Sequence, residues 1–246
     1  MKKIYFLSGY SRAGNTFLSS ILNQNKNITV TPNSCLVQIM YNLFELHKSD
    51  WIKNVPEVSG LNNVINNLFK NYYEHLDSEF IFERSCWGTP YNLDMLEKLN
   101  YKPKFLLLVR PLVEVLASYV KVQKPKDPVN LVYNLMHPDL GKIYFDWHSA
   151  SNIIKTNQNY LLIKYNDLVN NTEEKVKEIY NYFEIPEFKH RFENLDPFTY
   201  NGVQYNDTVF EADLHKIKSE IKKDIYDIEE YLPKEIIKRY EGWDYF

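Results

Sequence analysis

The sequence predicts an α/β protein of three layers, α/β/α, in which helices cover both faces of a central parallel sheet. Three segments carry this prediction, because each runs from an apolar strand through a turn into an amphipathic helix. Strands that alternate with helices in this way are joined by right-handed crossovers and lie parallel. The segments are KIYFLSGYSRAGNTFLSSIL (3–22), KFLLLVR (104–110) with the helix after Pro111, and NYLLIKYNDL (159–168) with the helix that Thr172 caps.

The first half of the chain adds a strand and two helices to this framework. The first helix is predicted over residues 15–24, and ITVTPNS (28–34) predicts a short second strand that ends in a turn. Two later runs, 35–47 and 61–76, carry apolar residues three and four positions apart, as amphipathic helices do.

A further strand, turn and helix are predicted within EFIFERSCWGTPYNLDMLEKL (79–99), where Glu83 and Arg84 end the strand. The segment DPVNLVYNLMHPDLGK (127–142) has the composition of a loop or lid. Turn signals such as NLDP and YNGVQYND mark residues 188–215 as irregular, before a final pair of helices.

Length and composition predict one domain over residues 1–246, because 246 residues with 44% hydrophobic content can bury one large core. The net charge of −3 and the pI near 6.1 argue against binding to nucleic acid. No stretch has the length of a signal peptide core or a membrane span. Cys35 and Cys86 are too few for a disulfide framework, and no Cys or His spacing predicts a metal site. A cytoplasmic location is therefore expected.

Arginine is scarce in this chain, since the 29 basic residues comprise 24 Lys and 5 Arg. The arginines that remain are candidates for geometry that lysine cannot supply, such as the bidentate binding of an anion. Arg12, Arg84 and Arg110 each lie at the end of an apolar strand or in the turn after it. Open α/β sheets bind their ligands at this edge.

The turn after the first strand has the spacing of a phosphate-binding P-loop, with Asn15 in place of the usual lysine. Gly9 and Gly14 bracket the turn, Arg12 lies between them and Thr16 follows. Glycines let consecutive N–H groups point inward, and the helix after them adds unpaired donors and a positive dipole end. The loop therefore predicts an anion cradle for a nucleotide that needs neither the P-loop lysine nor Mg²⁺.

Arg110 and Ser118 form a second candidate anion site, because Arg110 ends the most strand-like segment and Ser118 lies eight residues later on the next helix. At 1.5 Å per residue the two positions are about 12 Å apart along a helix axis. One phosphate can contact both only if it lies alongside the helix and the arginine folds along it. A surface ion pair and an exposed serine explain the spacing equally well.

Several stretches together resemble the sulfotransferases that use 3′-phosphoadenosine 5′-phosphosulfate (PAPS), and most closely the short bacterial type. SGYSRAGNTFLSSILNQN is similar to the 5′-phosphosulfate loop of that family, and LLLVRPLVEVLASYVK is similar to its 3′-phosphate motif. Other matching stretches follow in the family's order and extend the resemblance over most of the chain. They are NQNKNITVTPNS, FIFERSCWGTPYNLDMLEKL, LLIKYNDLVNNTEEKVKEIYNYFEIP, FKHRFENLD and DLHKIKSEI.

The resemblance implies a P-loop sulfotransferase fold with PAPS as donor, adenosine 3′,5′-bisphosphate (PAP) as product and no required metal. It implies that Arg110 and Ser118 hold the 3′-phosphate, and that Trp87, or Lys216 and Lys218, help to enclose the nucleotide. The loop that would hold the 5′-phosphosulfate consists of Gly9, Ser11, Arg12, Ala13, Gly14, Asn15 and Thr16.

The chain departs from the family pattern at three positions. Ser11 and Ala13 stand where the loop usually has Pro and Ser, so position 13 has no hydroxyl group to offer a ligand. Pro111 follows Arg110 where an acidic residue or Asn is common. These changes leave the backbone cradle intact.

Sulfuryl transfer needs in-line positioning, stabilisation of charge on the leaving oxygen, and a base for the acceptor. Arg12 is the candidate for stabilising the leaving oxygen. Glu83 is the first candidate for the general base, since partial burial at a strand end would raise its pKa. His137 and His148 are the alternative bases, and the alternative role for Glu83 is an ion pair with Arg84 or Lys104.

Three functions are compatible with the sequence. The first is a sulfotransferase that acts on a hydroxyl or amine of a small molecule or glycan. The second is a P-loop kinase of a small molecule in which Glu83 would hold Mg²⁺, although Asn15 in place of lysine counts against it. The third is a nucleotide-binding or interaction module that keeps the fold without activity.

Overall fold

The computed structural model describes residues 2–206, 215 and 227–243. In this part of the chain one sheet of five parallel strands lies in the order β2-β3-β1-β4-β5. The strands are β1 (Lys3–Leu7), β2 (Ile28–Asn33), β3 (Phe80–Arg84), β4 (Lys104–Val109) and β5 (Asn159–Lys164).

Helices flank this sheet, and the three-layer α/β fold predicted from the sequence is confirmed. A 3-10 turn over Ile228–Glu230 precedes the last helix. The helices are α1 (Asn15–Leu22), α2 (Leu36–Lys48), α3 (Asp50–Lys53), α4 (Ser59–Asn66), α5 (Leu68–Tyr72), α6 (Pro90–Lys98), α7 (Leu112–Gln123), α8 (Pro128–Leu135), α9 (Lys142–Lys155), α10 (Tyr165–Asn170), α11 (Thr172–Tyr182) and α12 (Lys234–Tyr240).

The strand order places β1 at the centre of the sheet, between β3 and β4. The chain turns to β2 and β3 on one side of β1 and to β4 and β5 on the other, so the direction of winding changes there. Ligands of open α/β sheets bind outside the carboxyl ends of the strands at such a point. The loop after β1 and the ends of β3 and β4 all meet at this edge.

The core is built on β4 and a layer of aromatic rings. Residues 105–109 of β4 have no exposed surface, as expected of a parallel strand covered on both faces. Phe6 of β1 packs against Phe69, Trp87, Tyr101 and Phe105, with ring centroids 4.9–6.0 Å apart. These contacts fasten the centre of the sheet to the turn after β3.

Two predicted segments differ from the structure. Residues 127–142 were expected to form a loop or lid, but α8 occupies half of this segment. Asp127 caps α8 by accepting the N–H of Asn130 at 3.0 Å, and Pro128 takes the first helical position, where a missing N–H costs nothing. The single helix expected over 61–76 is divided into α4 and α5 at Asn67.

The division at Asn67 has a local cause. Its side-chain amide donates to the carbonyl and to the side-chain oxygen of Asn63, both at 3.0 Å. Asparagine side chains that bond to nearby backbone compete with the helical pattern. The apolar spacing alone could not reveal this break, because it continues through the asparagine.

A close approach of two strands explains Gly9. The N–H groups of Ser8 and Tyr10 donate to Leu106 and Leu108 at 3.0 and 2.9 Å, so the chain after β1 continues alongside β4. A β-carbon on Gly9 would lie 2.3 Å from the Leu108 carbonyl oxygen and 2.6 Å from its nitrogen. The backbone of a buried strand cannot move aside for it.

Replacing Gly9 with Ala is therefore expected to destabilise the protein by about 1–3 kcal/mol, the usual cost of overpacking. For a chain of this size that corresponds to a fall in Tm of roughly 3–10 °C, measurable by calorimetry. Gly60→Ala is the matched control, because nothing lies within 4 Å of a β-carbon there. An unchanged Tm for Gly9→Ala would contradict the close approach of β1 and β4.

The described residues show neither a membrane-spanning helix nor a metal cluster. Within residues 2–206, 215 and 227–243, no helix is long and apolar enough to cross a bilayer. Among the same residues, no three His, Cys, Asp or Glu side chains are grouped so that they could hold a metal ion.

Candidate active site

The loop between β1 and α1 presents backbone N–H groups at the carboxyl edge of the sheet. Gly14 precedes α1 in a left-handed conformation with φ of 92°, and no side chain caps the helix. Arg12 is also left-handed, with φ of 64°. A helix start without a side-chain cap leaves its first N–H groups available to an anion. A β-carbon on Gly14 would meet the ring of Tyr165 at 2.9 Å, so only glycine fits here.

The side chains of Ser11, Ala13 and Asn15 are buried within this loop. Each residue is at most 6% exposed. The Asn15 amide donates to the Tyr10 carbonyl at 2.6 Å, and the Ala13 N–H donates to the same carbonyl at 3.2 Å. The side-chain amide of Asn15 thus donates within the loop itself. The half-buried Thr16 is better placed to meet a ligand from the first turn of α1.

Arg12, Arg110 and Ser118 form one cluster beside the loop. The Nε of Arg12 donates to the Ser118 hydroxyl at 3.2 Å, and the Nη1 of Arg110 donates to the Arg12 carbonyl at 3.3 Å. The predicted 3′-phosphate pair is therefore joined through a residue of the other predicted anion site. Sequence spacing did not reveal this arrangement, in which the Arg12 guanidinium reaches α7.

The surroundings of Arg110 fix its orientation. Its Nε donates to the Glu114 carboxylate at 2.9 Å, and its guanidinium lies 4.3 Å from the centre of the Tyr165 ring. Arg110 is only 4% exposed, whereas an arginine in a surface ion pair would be largely solvated. The cluster thus holds permanent positive charge in a partly dehydrated place, where an anion is bound strongly.

Glu83 lies on β3, two strand positions from the turn, and its residue has no exposed surface. Thr31 donates to its carboxylate at 3.0 Å, and the hydroxyls of Ser34 and Tyr73 donate to it as well. Burial raises the pKa of Glu83 to about 7, although hydrogen bonds from Ser34, Tyr73 and Thr31 act in the opposite direction. A carboxyl group with this pKa can take up a proton near neutral pH.

The structure shows no ion pair of Glu83 with Arg84 or Lys104, the two partners considered for it. Lys104 pairs with Glu184 at 3.0 Å, and the Arg84 Nη1 donates to the Tyr205 hydroxyl at 3.4 Å. Three hydroxyl groups, and no cation, satisfy the Glu83 carboxylate among the described residues. This leaves its charge uncompensated, which is why burial dominates its titration.

The alternative bases His137 and His148 lie in other surroundings. His137 is exposed and accepts the N–H of Asp139 at 3.2 Å through Nδ1. His148 stacks on Tyr144, one turn away on α9, with ring centroids 5.9 Å apart. Neither is bonded to the loop or to the Glu83 network.

Of the residues that the resemblance implies as enclosing the nucleotide, the structure describes Trp87. Trp87 has no exposed surface and packs against Phe6 and Phe69, with ring centroids 4.9 and 5.6 Å apart. Its ring packs in the core in this structure, and its role beside the nucleotide stays a prediction. Lys216 and Lys218 lie outside the described residues, so their predicted role stays a prediction.

Sequence reasoning missed two residues of α9 that touch this site, Asp146 and Ser149. Asp146 accepts the Ser11 N–H at 2.7 Å, and the Ser149 hydroxyl lies 2.8 Å from that of Ser8. Both are at most 8% exposed. The available signal was a pair of polar residues, three positions apart, on the face of α9 that also carries the buried Ile153.

The fold and the site together define a class of protein, an α/β protein whose glycine loop and arginine cluster suit a nucleotide-like polyanion. The model of the sulfotransferase domain family matches residues 2–242. The chain therefore belongs to the sulfotransferase domain family, as the resemblance in its motifs indicated.

Solved structures with the same fold include three bacterial sulfotransferases. One is the sulfotransferase domain from the olefin synthase of Synechococcus PCC 7002, at 16% identity and a TM-score of 0.55, covering 85% of this chain and 82% of that one. Another is a sulfotransferase from Alicyclobacillus acidocaldarius, at 12% identity and 0.53, with 78% and 85% covered.

The third is the sulfotransferase domain from the curacin biosynthetic pathway, at 18% identity and a TM-score of 0.50, covering 76% of this chain and 75% of that one. At these identities the likeness concerns the fold alone. No curated protein sequence matches the chain significantly.

Proposed function

We propose that this protein is a PAPS-dependent sulfotransferase that moves a sulfuryl group to a hydroxyl or amine of a small molecule or glycan. The observation that carries the proposal is the junction of two anion sites. The start of α1, which has no side-chain cap, lies beside the cluster of Arg12, Arg110 and Ser118. PAPS carries negative charge at both its 5′- and 3′-ends, so a pair of adjacent anion sites suits it.

The residues present fit this donor. The N–H groups of Gly14, Asn15 and Thr16 would hold the 5′-phosphosulfate, and Arg110 with Ser118 would hold the 3′-phosphate. When bound, PAPS supplies an activated sulfuryl group on a bridging oxygen. Arg12 would stabilise the charge on that oxygen, and its bond to Ser118 lets it serve both ends of the site.

Glu83 is the proposed general base, and its hydroxyl network would connect it to an acceptor bound beside Ser34. Glu83, Thr31 and Tyr73 are almost completely buried, whereas Ser34 is half-buried at the turn after β2. The Ser34 hydroxyl donates to Glu83, so a proton released by the acceptor has a short route to the carboxylate. The raised pKa of Glu83 suits this transfer at neutral pH.

A kinase is the second candidate, and the loop argues against it. A P-loop kinase uses a lysine on the β- and γ-phosphates. Here Asn15 occupies that position and donates to the Tyr10 carbonyl. Glu83 would have to hold Mg²⁺ in that reading, yet it accepts three hydroxyl groups and is fully buried.

The same proposal includes a cytoplasmic location, because Cys35 and Cys86 are both free thiols, as expected in a reducing compartment. It also takes PAP as the product and assigns no role to a metal.

Calorimetric titration of the purified protein with PAP, and separately with ATP and Mg²⁺, tests the proposal without an acceptor. We expect micromolar binding of PAP that a chelator does not affect. Binding of Mg·ATP alone would favour the kinase. Binding of neither would contradict both enzymatic readings and favour a nucleotide-free interaction module.

A further inference from the structure

Helix α9 reaches the candidate site through Asp146. Its Oδ2 accepts the Ser11 N–H at 2.7 Å, and its Oδ1 accepts the thiol proton of Cys86 at 3.2 Å. Ser11 belongs to the donor loop, defined as residues 8–14, and Cys86 belongs to the β3 turn, defined as residues 85–88. One carboxylate therefore joins two segments that different strands deliver to the sheet edge.

Neighbouring residues of α9 repeat the connection one and two turns later. The Ser149 hydroxyl lies 2.8 Å from that of Ser8 and accepts the Gly88 N–H at 2.9 Å. The Asn152 amide donates to the Gly88 carbonyl at 2.7 Å. A β-carbon on Gly88 would lie 2.3 Å from the Ser149 carbonyl oxygen, so α9 and the β3 turn pack too closely for any side chain at this position.

We propose that Asp146 is a positioning residue that holds the donor loop against the β3 turn, and so sets the donor cradle relative to Glu83. This inference rests on the proposed function, since it assigns a role in binding the same donor. Asp146 would not touch the donor itself, because its carboxylate is directed at Ser11 and Cys86.

The need for a carboxylate follows from the residue at position 11. Ser11 is buried, so its backbone N–H is a donor that must be satisfied within the protein. Burial and the nearby Asp146 raise the pKa of the Cys86 thiol, so Cys86 keeps its proton and remains a donor. The two oxygens of a carboxylate accept both donors at once.

A carboxylate beside an anion site also repels the anion, so the two possible effects of Asp146 have opposite signs. If its charge dominated, removing it would tighten the binding of PAP. If positioning dominates, removing the Asp146 carboxylate leaves the loop in its binding conformation in only a fraction of the molecules. The apparent affinity for PAP is then the intrinsic affinity multiplied by that fraction. The sign of the change therefore separates the two.

The experiment compares Asp146→Ala with the unmodified protein by calorimetric titration. We expect PAP affinity to fall about tenfold. Affinity for adenosine 3′-monophosphate, which has no 5′-phosphate, should fall at most about threefold, because its phosphate would be held by Arg110 and Ser118 and not by the N–H groups of the loop. Asp94→Ala is the matched control, since Asp94 is an exposed carboxylate that pairs with Lys98, and it should leave both affinities unchanged.

The double variant Ser11→Pro/Asp146→Ala keeps the test informative if Asp146→Ala alone folds poorly. Proline removes the N–H that Asp146 satisfies, so the loss of Asp146 should then matter little. The PAP affinity of the double variant should lie within about threefold of that of the Ser11→Pro single variant. Unchanged or tighter PAP binding by a folded Asp146→Ala protein, or equal losses for the two nucleotides, would overturn the positioning role alone. Failure of the unmodified protein to bind PAP would instead overturn the proposed function and this inference with it.

Discussion

Replacing Glu83 with Gln is expected to lower the rate of sulfuryl transfer by a hundredfold or more, while PAP affinity stays within about twofold. General bases contribute roughly 10²–10⁴-fold to rate, and Gln has nearly the same shape but cannot take up a proton. The Gln side chain can still accept from part of the network of Thr31, Ser34 and Tyr73, so the fold should survive. The measurement is transfer of labelled sulfate to the first acceptor found by screening phenols, sugars and amines.

The dependence of the rate on pH provides a second readout of the same role. Because burial raises the pKa of Glu83 to about 7, kcat/KM should rise tenfold per pH unit below neutrality and level off above it. The Gln variant should lack this dependence. Glu79→Gln, which alters an exposed glutamate at the start of β3 that pairs with Lys3, should behave as the unmodified protein does. Undiminished turnover in the Glu83 variant would remove Glu83 from the mechanism.

Replacing Arg110 with Ala is expected to weaken PAP binding at least tenfold and up to about a hundredfold. A charge-assisted hydrogen bond contributes about 1.5–3 kcal/mol, and each 1.4 kcal/mol is tenfold in affinity. The substitution removes the proposed 3′-phosphate contact and also the bond to the Arg12 carbonyl, so the loop loses a support as well. Calorimetric titration of the folded variant measures the loss.

Two companion variants separate shape from charge at this position. Arg110→Lys keeps the charge but cannot reproduce the planar fork that reaches both Glu114 and the Arg12 carbonyl, so it should restore less than half of the lost binding free energy. Arg191→Ala removes an exposed arginine that pairs with Asp196 and should leave PAP binding unchanged. Full affinity in Arg110→Ala would contradict the 3′-phosphate assignment.

The local sequence predicted the parts of the fold whose signals lie within one segment. The apolar run before Arg110 predicted β4, and the glycines around Arg12 predicted the strand, loop and helix at the centre of the sheet. The predicted boundaries were close because glycine and proline restrict the backbone where they stand. The helix α8 was missed although Asp127 and Pro128 form a standard start signal, since its composition resembled that of a loop.

Tertiary packing decided the remaining features. The contact between Arg12 and Ser118 depends on a left-handed residue that only the folded loop imposes. Asp146 lies on a helix far along the chain, and its partner is a backbone N–H, which leaves no trace in the side-chain pattern. The resemblance implied a role for Trp87 beside the nucleotide, and no local signal indicated that its ring packs against Phe6 in the core.

The central position of β1 has a consequence for the order in which the sheet folds. β1 precedes both of its neighbours in the sheet along the chain, because β3 begins at Phe80 and β4 begins at Lys104. Strand pairings this distant in sequence form slowly, because the entropy cost of closing a long loop comes before the strand contacts that offset it. Because the N–H groups of Ser8 and Tyr10 donate to β4, the loop after β1 is expected to acquire its shape only once β1 has paired with β4.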